Sequence, residues 1–146
     1  MIYLGADHGG YAMKEDIKKW LDRRGVGYVD CGALSFDHGD DYPSIADAVA
    51  KKVALQKKNR GIILCRSGNG VAIAANKTRG IRAAVCWNAP SARKSVEDDH
   101  ANILSLPSDY VTTAEAKKIV RAWLDARPST ADRHVRRVRA INSLLK

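Results

Sequence analysis

Residues 61–77, GIILCRSGNGVAIAANK, determine how the chain folds. Residues 62–64 form an apolar, β-branched run of the kind that makes a strand buried on both faces. Cys65 stands where that strand ends, and the small residues 67–70 suit a tight loop. From Val71 the sequence becomes alanine-rich and helical. The stretch therefore predicts a buried strand, a loop and a helix in succession.

A loop of this kind is chemically useful because it points several backbone N–H groups at one place. The dipole of the following helix adds partial positive charge there, which suits a bound phosphate or an oxyanion formed during a reaction. Cys65, beside the loop, is a candidate base or nucleophile. The alternative is an ordinary strand–loop–helix turn whose cysteine is one more core residue.

Strand and helix patterns alternate along the rest of the chain. Strands are expected at residues 2–6, 26–30, 62–64, 82–86 and 102–106, and helices at 11–24, from 43, from 71, from 90, from 112 and after 128. Thr112 and Glu115 form a capping box for the fifth helix. Because parallel strands need crossovers, the pattern predicts an α/β fold, a Rossmann-like three-layer sandwich with a five-stranded parallel sheet and a C-terminal basic helix. Residues 1–146 suit one domain.

The net charge and the cysteine content indicate what kind of substrate or partner, and which compartment, the protein has. The 146 residues include 25 Lys and Arg against 16 Asp and Glu, a net charge of +9, which favours an anionic partner or substrate. An odd number of cysteines without metal-ligand spacing predicts reduced thiols, a cytoplasmic protein and no metal. No apolar run approaches the roughly 18 residues of a membrane helix, and no signal peptide is visible.

Chemically active residue types cluster at one predicted edge of the sheet. Asp7 and His8 follow the first strand, Cys31 follows the second, Cys65 follows the third, and Cys86 ends the fourth. Ligands of doubly wound sheets bind outside the carboxyl ends of the strands. We therefore expect the acid–base candidates at this edge, although a turn carboxylate and a solvated histidine are the simpler interpretation of Asp7 and His8.

A cationic run near the C-terminus contains Arg133, His134, Arg136, Arg137 and Arg139. Arg133 and Arg137 are four residues apart and share a helix face, so both can bind one phosphate. The alternatives are a solvated basic face or a nucleic-acid patch. Proteins that bind nucleic acid add exposed aromatic side chains that stack on bases, and none interleaves this run, so we do not expect nucleic acid.

Several motifs along the chain resemble those of one family. They are GADHGGYAMK at residues 5–14, DYP at 41–43, GIILCRSGNG at 61–70 with AANK at 74–77, GIRAAVC at 80–86, and RHVRRV at 133–138. In this order they resemble the ribose-5-phosphate isomerase B family, which includes the galactose-6-phosphate isomerase subunits. The resemblance implies a homodimer, or a dimer of dimers, with active sites across the subunit interface. It also implies interconversion of aldose and ketose phosphates without metal or cofactor.

The resemblance further implies roles for individual residues. Cys65 matches the base that moves a proton between C1 and C2, and Ser67 matches the hydroxyl that handles the proton between O1 and O2. The loop backbone of residues 66–70 matches a cradle for the enediolate. The implied substrate contacts are Asp7, His8, Tyr42, Arg66, Gly68, Asn69, Gly70 and Asp99, and the implied phosphate contacts are Arg133, His134 and Arg137.

The sequence also departs from the family pattern. The ring-opening histidine of the family aligns with Asp98, and the asparagine after it aligns with Asp99. A phosphate-binding arginine aligns with Asp109, and the residue after the cysteine, usually glycine, is Arg66. His100 lies two positions beyond the missing histidine, so Asp98 and His100 are the candidates for its catalytic role.

The residues that match the family pattern and those that depart from it leave three candidate functions. The first is interconversion of ribose 5-phosphate and ribulose 5-phosphate through an enediolate. The second is the same mechanism on a different sugar, including one without a phosphate. The third is a non-catalytic sugar-phosphate-binding subunit of a hetero-oligomer. Cys65 and Ser67 argue against the third, because a chain without catalytic duty need not keep both.

Overall fold

The computed structural model describes residues 1–144, in which strands and helices alternate as predicted. The strands are β1 (Ile2–Ala6), β2 (Tyr28–Asp30), β3 (Arg60–Cys65), β4 (Ala83–Val85) and β5 (Ile103–Pro107). The helices are α1 (Tyr11–Asp22), α2 (Tyr42–Ala54), α3 (Asn69–Ala75), α4 (Ala89–Asp99), α5 (Thr113–Asp125) and α6 (Asp132–Ser143). The predicted α/β class with a C-terminal basic helix is therefore confirmed.

All five strands pair in parallel, in the order β2-β1-β3-β5-β4. Their carboxyl ends therefore meet at one edge of the sheet, here called the carboxyl edge, and their amino ends at the opposite amino edge. From β1 the chain first crosses to one side, to β2, and then to the other, to β3. The switch point between β1 and β3 is where such sheets bind ligands.

Helices cover both faces of the sheet and form two cores. Helices α1, α4 and α5 pack on one face, around residues such as Leu4, Ile62 and Trp123. Helices α2 and α3 pack on the other, where Ile63 and Cys65 are buried. Successive residues of β3 thus face opposite cores, as expected for a central strand of a three-layer sandwich.

Several predicted boundaries were wrong by a few residues. Helix α3 begins at Asn69 rather than Val71, because Gly68 (φ 74°) already turns the chain into the helix. Helix α1 ends at Asp22, short of the predicted 24, and β2 begins at Tyr28 rather than 26. Strand β4 is shorter than predicted, and β5 is shifted by one residue. The Thr112–Glu115 capping box is present.

The basic helix was expected to continue to the C-terminus, but α6 ends at Ser143 and the last two positions lie outside the described residues. None of the helices within residues 1–144 is both long enough and apolar enough to cross a membrane.

A buried lysine joins α1 to the segment after β2. Lys14 is fully buried, and its Nζ lies 2.7 Å from Oδ1 of Asp30 and also donates to the carbonyls of Gly32 and Ala33. Lys18 donates to the other oxygen of Asp30 at 2.8 Å. Burial alone would raise the pKa of Asp30, but the two lysines outweigh it and hold the pKa below its ordinary value. The start of the loop at residues 31–41 is thereby fixed.

Candidate active site

Cys65 ends β3 at the carboxyl edge and begins the candidate site. Its side chain is buried, and its Sγ accepts a hydrogen bond from the backbone N–H of Gly68 at 3.1 Å. An N–H donated to sulfur stabilises negative charge on that sulfur. The sulfurs of the other two cysteines lie near backbone carbonyls instead, Cys31 near Val29 and Cys86 near Ala84, and burial raises the pKa of both thiols.

The loop after Cys65 is held by β5 and the residues that follow it. Ser105 Oγ donates to the carbonyl of Gly68 at 2.6 Å. Ser108 donates through its N–H to the carbonyl of Cys65 at 3.0 Å, and through its Oγ to the carbonyl of Gly9 at 2.8 Å. Ser108 thus connects the ends of β1, β3 and β5. Neither serine is predicted from the sequence, since a single serine within or just after a strand has no local signal.

Tyr42, predicted to lie near the pocket, packs against the start of α3. A Cβ atom on Gly70 would lie 2.7 Å from the Tyr42 ring, so the ring occupies the space that any side chain at position 70 would need. Glycine is therefore required for α2 and α3 to approach each other here. Ser67 follows Cys65, and its Oγ accepts the N–H of Asn69 at 3.3 Å.

Asp7 and His8 lie at the carboxyl end of β1, beside the Cys65 loop. Asp7 is buried, its N–H donates to the carbonyl of Leu64 at 3.3 Å, and its Oδ1 accepts the N–H of Gly10 at 3.1 Å. His8 contacts Asp40 twice, with its N–H 3.0 Å and its Nδ1 2.7 Å from the same Oδ1. Asp40 was not among the predicted site residues. Its only signal was a second aspartate before the DYP motif.

Arg66 and Asp109 face each other across the ends of β3 and β5. The guanidinium lies 3.9 Å from the carboxylate, and both side chains are at least half exposed. The N–H of Asp109 also donates to the carbonyl of Arg66 at 3.0 Å. An exposed pair of this kind is worth less than about 1 kcal/mol. The guanidinium is therefore free to exchange Asp109 for an anionic ligand.

An open cleft of about 460 Å³ lies at the carboxyl edge beside this loop. It is lined by Ser67, Asn69, Val85, Trp87, Pro107 and Tyr110. Trp87 and Tyr110 are exposed over 62% and 74% of their surface, although large aromatic side chains are usually buried. The cleft therefore has a polar side next to Cys65 and an aromatic side beyond β4 and β5.

The structure does not bring Asp98, Asp99 and His100 to Cys65 within one chain. Helix α4 starts after β4 at the carboxyl edge and runs back, so these three residues lie at the amino edge. Asp98 is near Lys94 (3.7 Å) and the Nδ1 of His134 (3.8 Å). The His100 ring Nε2 is 2.9 Å from the carbonyl of Ser129.

The predicted phosphate cations lie on α6, also away from Cys65 of the same chain. Helix α6 packs on α4, and its Asn142 accepts a hydrogen bond from Arg82, which precedes β4 at the amino edge. Arg133 and Arg137 are exposed, as expected for ligand-binding cations. His134 is only 8% exposed, and its Nε2 accepts from Nε of Arg133 at 3.1 Å.

Among residues 1–144, no group of three or more His, Cys, Asp and Glu side chains is arranged to hold a metal ion.

Comparison with known sequences places this geometry among sugar isomerases. The sequence model of the ribose/galactose isomerase family matches residues 2–141. Ribose-5-phosphate isomerase B of Mycobacterium tuberculosis is 41% identical over 137 residues, which are 94% of this chain and 85% of that protein. Ribose-5-phosphate isomerase B of Escherichia coli is 41% identical over 143 residues, 98% of this chain and 95% of that protein.

Solved structures of ribose-5-phosphate isomerase B have the same fold as this chain. Ribose-5-phosphate isomerase B of Clostridium thermocellum superimposes with a TM-score of 0.93 at 42% identity, over 98% of this chain and 95% of that one. The Mycoplasma genitalium enzyme, solved with bound ribulose-5-phosphate, also has a TM-score of 0.93, at 38% identity over 98% of this chain and 94% of that one.

Proposed function

The chain belongs to the ribose/galactose isomerase family, and from this premise we propose that it interconverts ribose 5-phosphate and ribulose 5-phosphate with Cys65 as the base. The observation that supports this most directly is the position of Cys65. Its sulfur lies at the carboxyl end of a central strand, accepts an N–H, and is followed by Ser67 at the mouth of an open cleft. The protein is an aldose–ketose isomerase, as its relatives are.

In this proposal the Cys65 thiolate removes the proton from C2 of the open-chain aldose. The electrons of the C–H bond form the C1=C2 double bond, and negative charge develops on O1. Cys65 then returns the proton to C1, while Ser67 moves a proton between O2 and O1. In this proposal the enediolate is stabilised by the backbone N–H groups of residues 66–70 that are not donated to Cys65 or Ser67. Such electrostatic stabilisation usually accounts for more of the rate enhancement than any other single effect.

The phosphate end of the substrate needs positive charge, and the exposed cation next to Cys65 at the carboxyl edge is Arg66, which is paired with Asp109. Asp7, Asp40 and Asp109 all lie there, and the nearby Lys14 is buried against Asp30. The exposed cations Arg133 and Arg137 lie on α6 instead. We infer a homodimer in which α6 of one chain covers the carboxyl edge of the other, so that each site takes Cys65 from one subunit and arginines from its partner.

Three free thiols suit the cytoplasm.

A direct test is a panel of phosphorylated and free aldoses in deuterated water. Solvent deuterium should enter C2 of ribose 5-phosphate, and ribulose 5-phosphate should accumulate in parallel. Cys65→Ala is the matched control and should do neither. Absence of exchange with every pentose phosphate would contradict the proposed reaction.

One observation favours a second candidate substrate. Asp109 stands at the mouth of the site, where its carboxylate would repel a phosphate dianion. The same mechanism acting on a sugar without a phosphate would avoid this repulsion. The panel distinguishes the two, because this candidate requires faster exchange with a free aldose than with its phosphate.

A further inference from the structure

We propose that His8, held by Asp40, is the acid–base residue that opens the sugar ring in this enzyme. This inference rests on the proposed function, because only an aldose that arrives as a ring needs such a residue. Ribose 5-phosphate exists mainly as a furanose, in which C1 is not a carbonyl and the C2 proton is not acidic. Ribulose 5-phosphate has no free hydroxyl positioned to close a furanose, so it enters the site as an open chain.

The geometry of His8 and Asp40 is that of an imidazole prepared for proton transfer. The carboxylate of Asp40 can only accept, so the ring proton of neutral His8 lies on Nδ1, 2.7 Å from Oδ1. The backbone N–H of His8 binds the same oxygen at 3.0 Å and fixes the carboxylate. A carboxylate in this position orients the ring and stabilises the imidazolium once it forms.

Asp40 is largely buried, whereas the His8 ring keeps one nitrogen accessible. The Asp40 side chain is 13% exposed, and its Oδ2 is buried without a hydrogen-bond partner among the described residues. Because that oxygen is desolvated, the negative charge is satisfied mainly through His8. The His8 side chain is 26% exposed, and the hydrogen bonds described for it all go to Asp40, which leaves Nε2 available to a ligand.

His8 lies at the strand end next to the one that carries Cys65, the proposed base. Strands β1 and β3 are adjacent, with Ala6 opposite Leu64. His8 and Arg66 therefore follow neighbouring strand ends at the same distance. A Cβ atom on Gly9 would lie 2.6 Å from Cγ of Arg66, so the His8–Gly9 turn touches the residue after Cys65.

The other three histidines fit the task less well. His100 binds the carbonyl of Ser129 at the amino edge, and His134 is buried between Asp98 and Arg133. His38 lies near His8, with ring centroids 6.0 Å apart, but it is exposed and packs edge-on against Phe36. Among the four histidines, only His8 combines a carboxylate partner with a place beside Cys65 of the same chain.

The proposed step balances without a further reactant. Nε2 of His8 takes the proton from O1, and the electrons of the O1–H bond form the C1=O double bond. The C1–O4 bond breaks, and its electrons leave with O4. The imidazolium then gives the same proton to O4, and Asp40 stabilises the positive charge in between. The product is the open-chain aldehyde on which Cys65 acts.

The test separates ring opening from proton transfer at carbon. Four variants are compared with wild type: His8→Asn, Asp40→Asn, His38→Asn and His100→Asn. Each is assayed for net conversion of ribose 5-phosphate, and for deuterium entering C1 of ribulose 5-phosphate in deuterated water. The second reaction needs the enediolate but no ring step. Thermal unfolding checks that each variant is folded.

For His8→Asn we expect net conversion to fall about 100-fold, the lower end of what general acid–base catalysis contributes, while C1 exchange stays within about threefold of wild type. Asp40→Asn should show the same split to a smaller degree, as befits a positioning residue. His38→Asn, at the exposed neighbouring histidine, should change neither reaction, and His100→Asn should not separate conversion from exchange.

Equal losses of conversion and exchange in His8→Asn and in Asp40→Asn would show that these residues only hold substrate or structure, and would overturn the proposal. The split appearing in His100→Asn instead would also overturn it. A wild type that neither converts ribose 5-phosphate nor exchanges the C1 proton would refute the proposed function itself, and this inference with it.

Discussion

At the scale of single residues, the three cysteines show how environment decides chemistry. The sulfurs of Cys31 and Cys86 lie near backbone carbonyls, and the sulfur of Cys65 accepts an N–H at the carboxyl edge. Asp98 and Asp109, which we expect to stand where the family pattern has a histidine and an arginine, are likewise not isolated charges. Asp98 lies near Lys94 and His134, and Asp109 faces Arg66. Local pairing explains how the chain tolerates both.

Replacing Cys65 tests the base assignment. Cys65→Ala should lower kcat by at least about 100-fold, the lower end of the contribution of a positioned base. Folding should be kept, because the change removes one sulfur atom at the end of a strand. Cys86→Ala, also buried, is the matched control and should keep its kcat. Substantial activity in Cys65→Ala would mean that another group removes the C2 proton.

Asp109 tests whether the phosphate site is altered. We expect wild type to bind ribose 5-phosphate with a weak Michaelis constant, and Asp109→Arg to lower that constant by about fivefold, or roughly 1 kcal/mol. Arg137→Ala should raise it for any phosphorylated substrate. Asp16→Arg makes the same charge change on α1 and serves as control. If wild type is already efficient and Asp109→Arg makes it worse, Asp109 is not repelling the phosphate.

At the scale of elements, α1 and the segment after β2 act as one unit because of a buried ion pair. Lys14 is fully buried, and Asp30 is its charged partner. This pair orders the start of the loop that carries Asp40, and Asp40 orients His8. Stability and site geometry therefore share the same few contacts.

Replacing Asp30 should lower the free energy of unfolding, because Lys14 is buried against it. Asp30→Asn removes the hydrogen-bonded counter-charge of the buried Lys14 ammonium and leaves only the half-buried Glu15 carboxylate, 3.6 Å away, so the loss should approach the roughly 3–5 kcal/mol typical of breaking a buried pair. The pKa of Asp30 is lowered in the folded state, so its contribution is full at pH 7 and is lost as pH falls below its ordinary value of about 3.9. Wild type and Asp30→Asn are unfolded with urea at pH 7 and in acid. The difference between their free energies of unfolding should be smaller in acid.

The control is Asp47→Asn, which removes an exposed partner of Lys51 on α2. It should change the free energy of unfolding by less than about 0.5 kcal/mol at either pH. A loss in Asp47→Asn as large as that in Asp30→Asn would mean that burial of Lys14 is not the cause.

Local patterns predicted the elements because each has its own periodicity or cap, such as the run in β3 and the Thr112 capping box. They did not predict the strand order, since β5 is placed between β3 and β4 by contacts distant in sequence. Lys14 did carry a signal, because it shares a helix face with Ile17 and Leu21. Asp40 carried almost none, because its partner His8 is 32 residues away.

At the scale of the whole molecule, charge and chemistry are separated within one chain. The candidate base and three aspartates lie at the carboxyl edge, and the exposed arginines of α6 lie at the opposite side of the fold. Arg66 is the exposed cation beside Cys65 and is paired with Asp109, so a substrate that needs the α6 arginines as well as Cys65 cannot meet both in a single copy. The proposed dimer removes this conflict, and it makes activity a property of pairs of chains.

Complementation tests this directly. Cys65→Ala and Arg137→Ala should each be impaired alone. After unfolding and refolding together, random pairing makes half of the dimers mixed, and one of the two sites in each mixed dimer is intact, so about a quarter of wild-type activity should return. Mixing Cys65→Ala with Ser67→Ala is the control and should restore nothing, because both residues belong to the same half of the site.

The strand order also has a consequence during synthesis. Strand β4 pairs with the sheet only through β5, which is made later and must enter between β3 and β4. Until Pro107 has left the ribosome, the edge of β3 that later pairs with β5 is therefore unpaired, although β3 is a buried central strand in the folded protein. In the same period β4 has no strand to pair with. Open edges of this kind recruit other chains. A nascent chain that stalls before residue 103 is thus the form of this protein most exposed to aggregation and most in need of a chaperone.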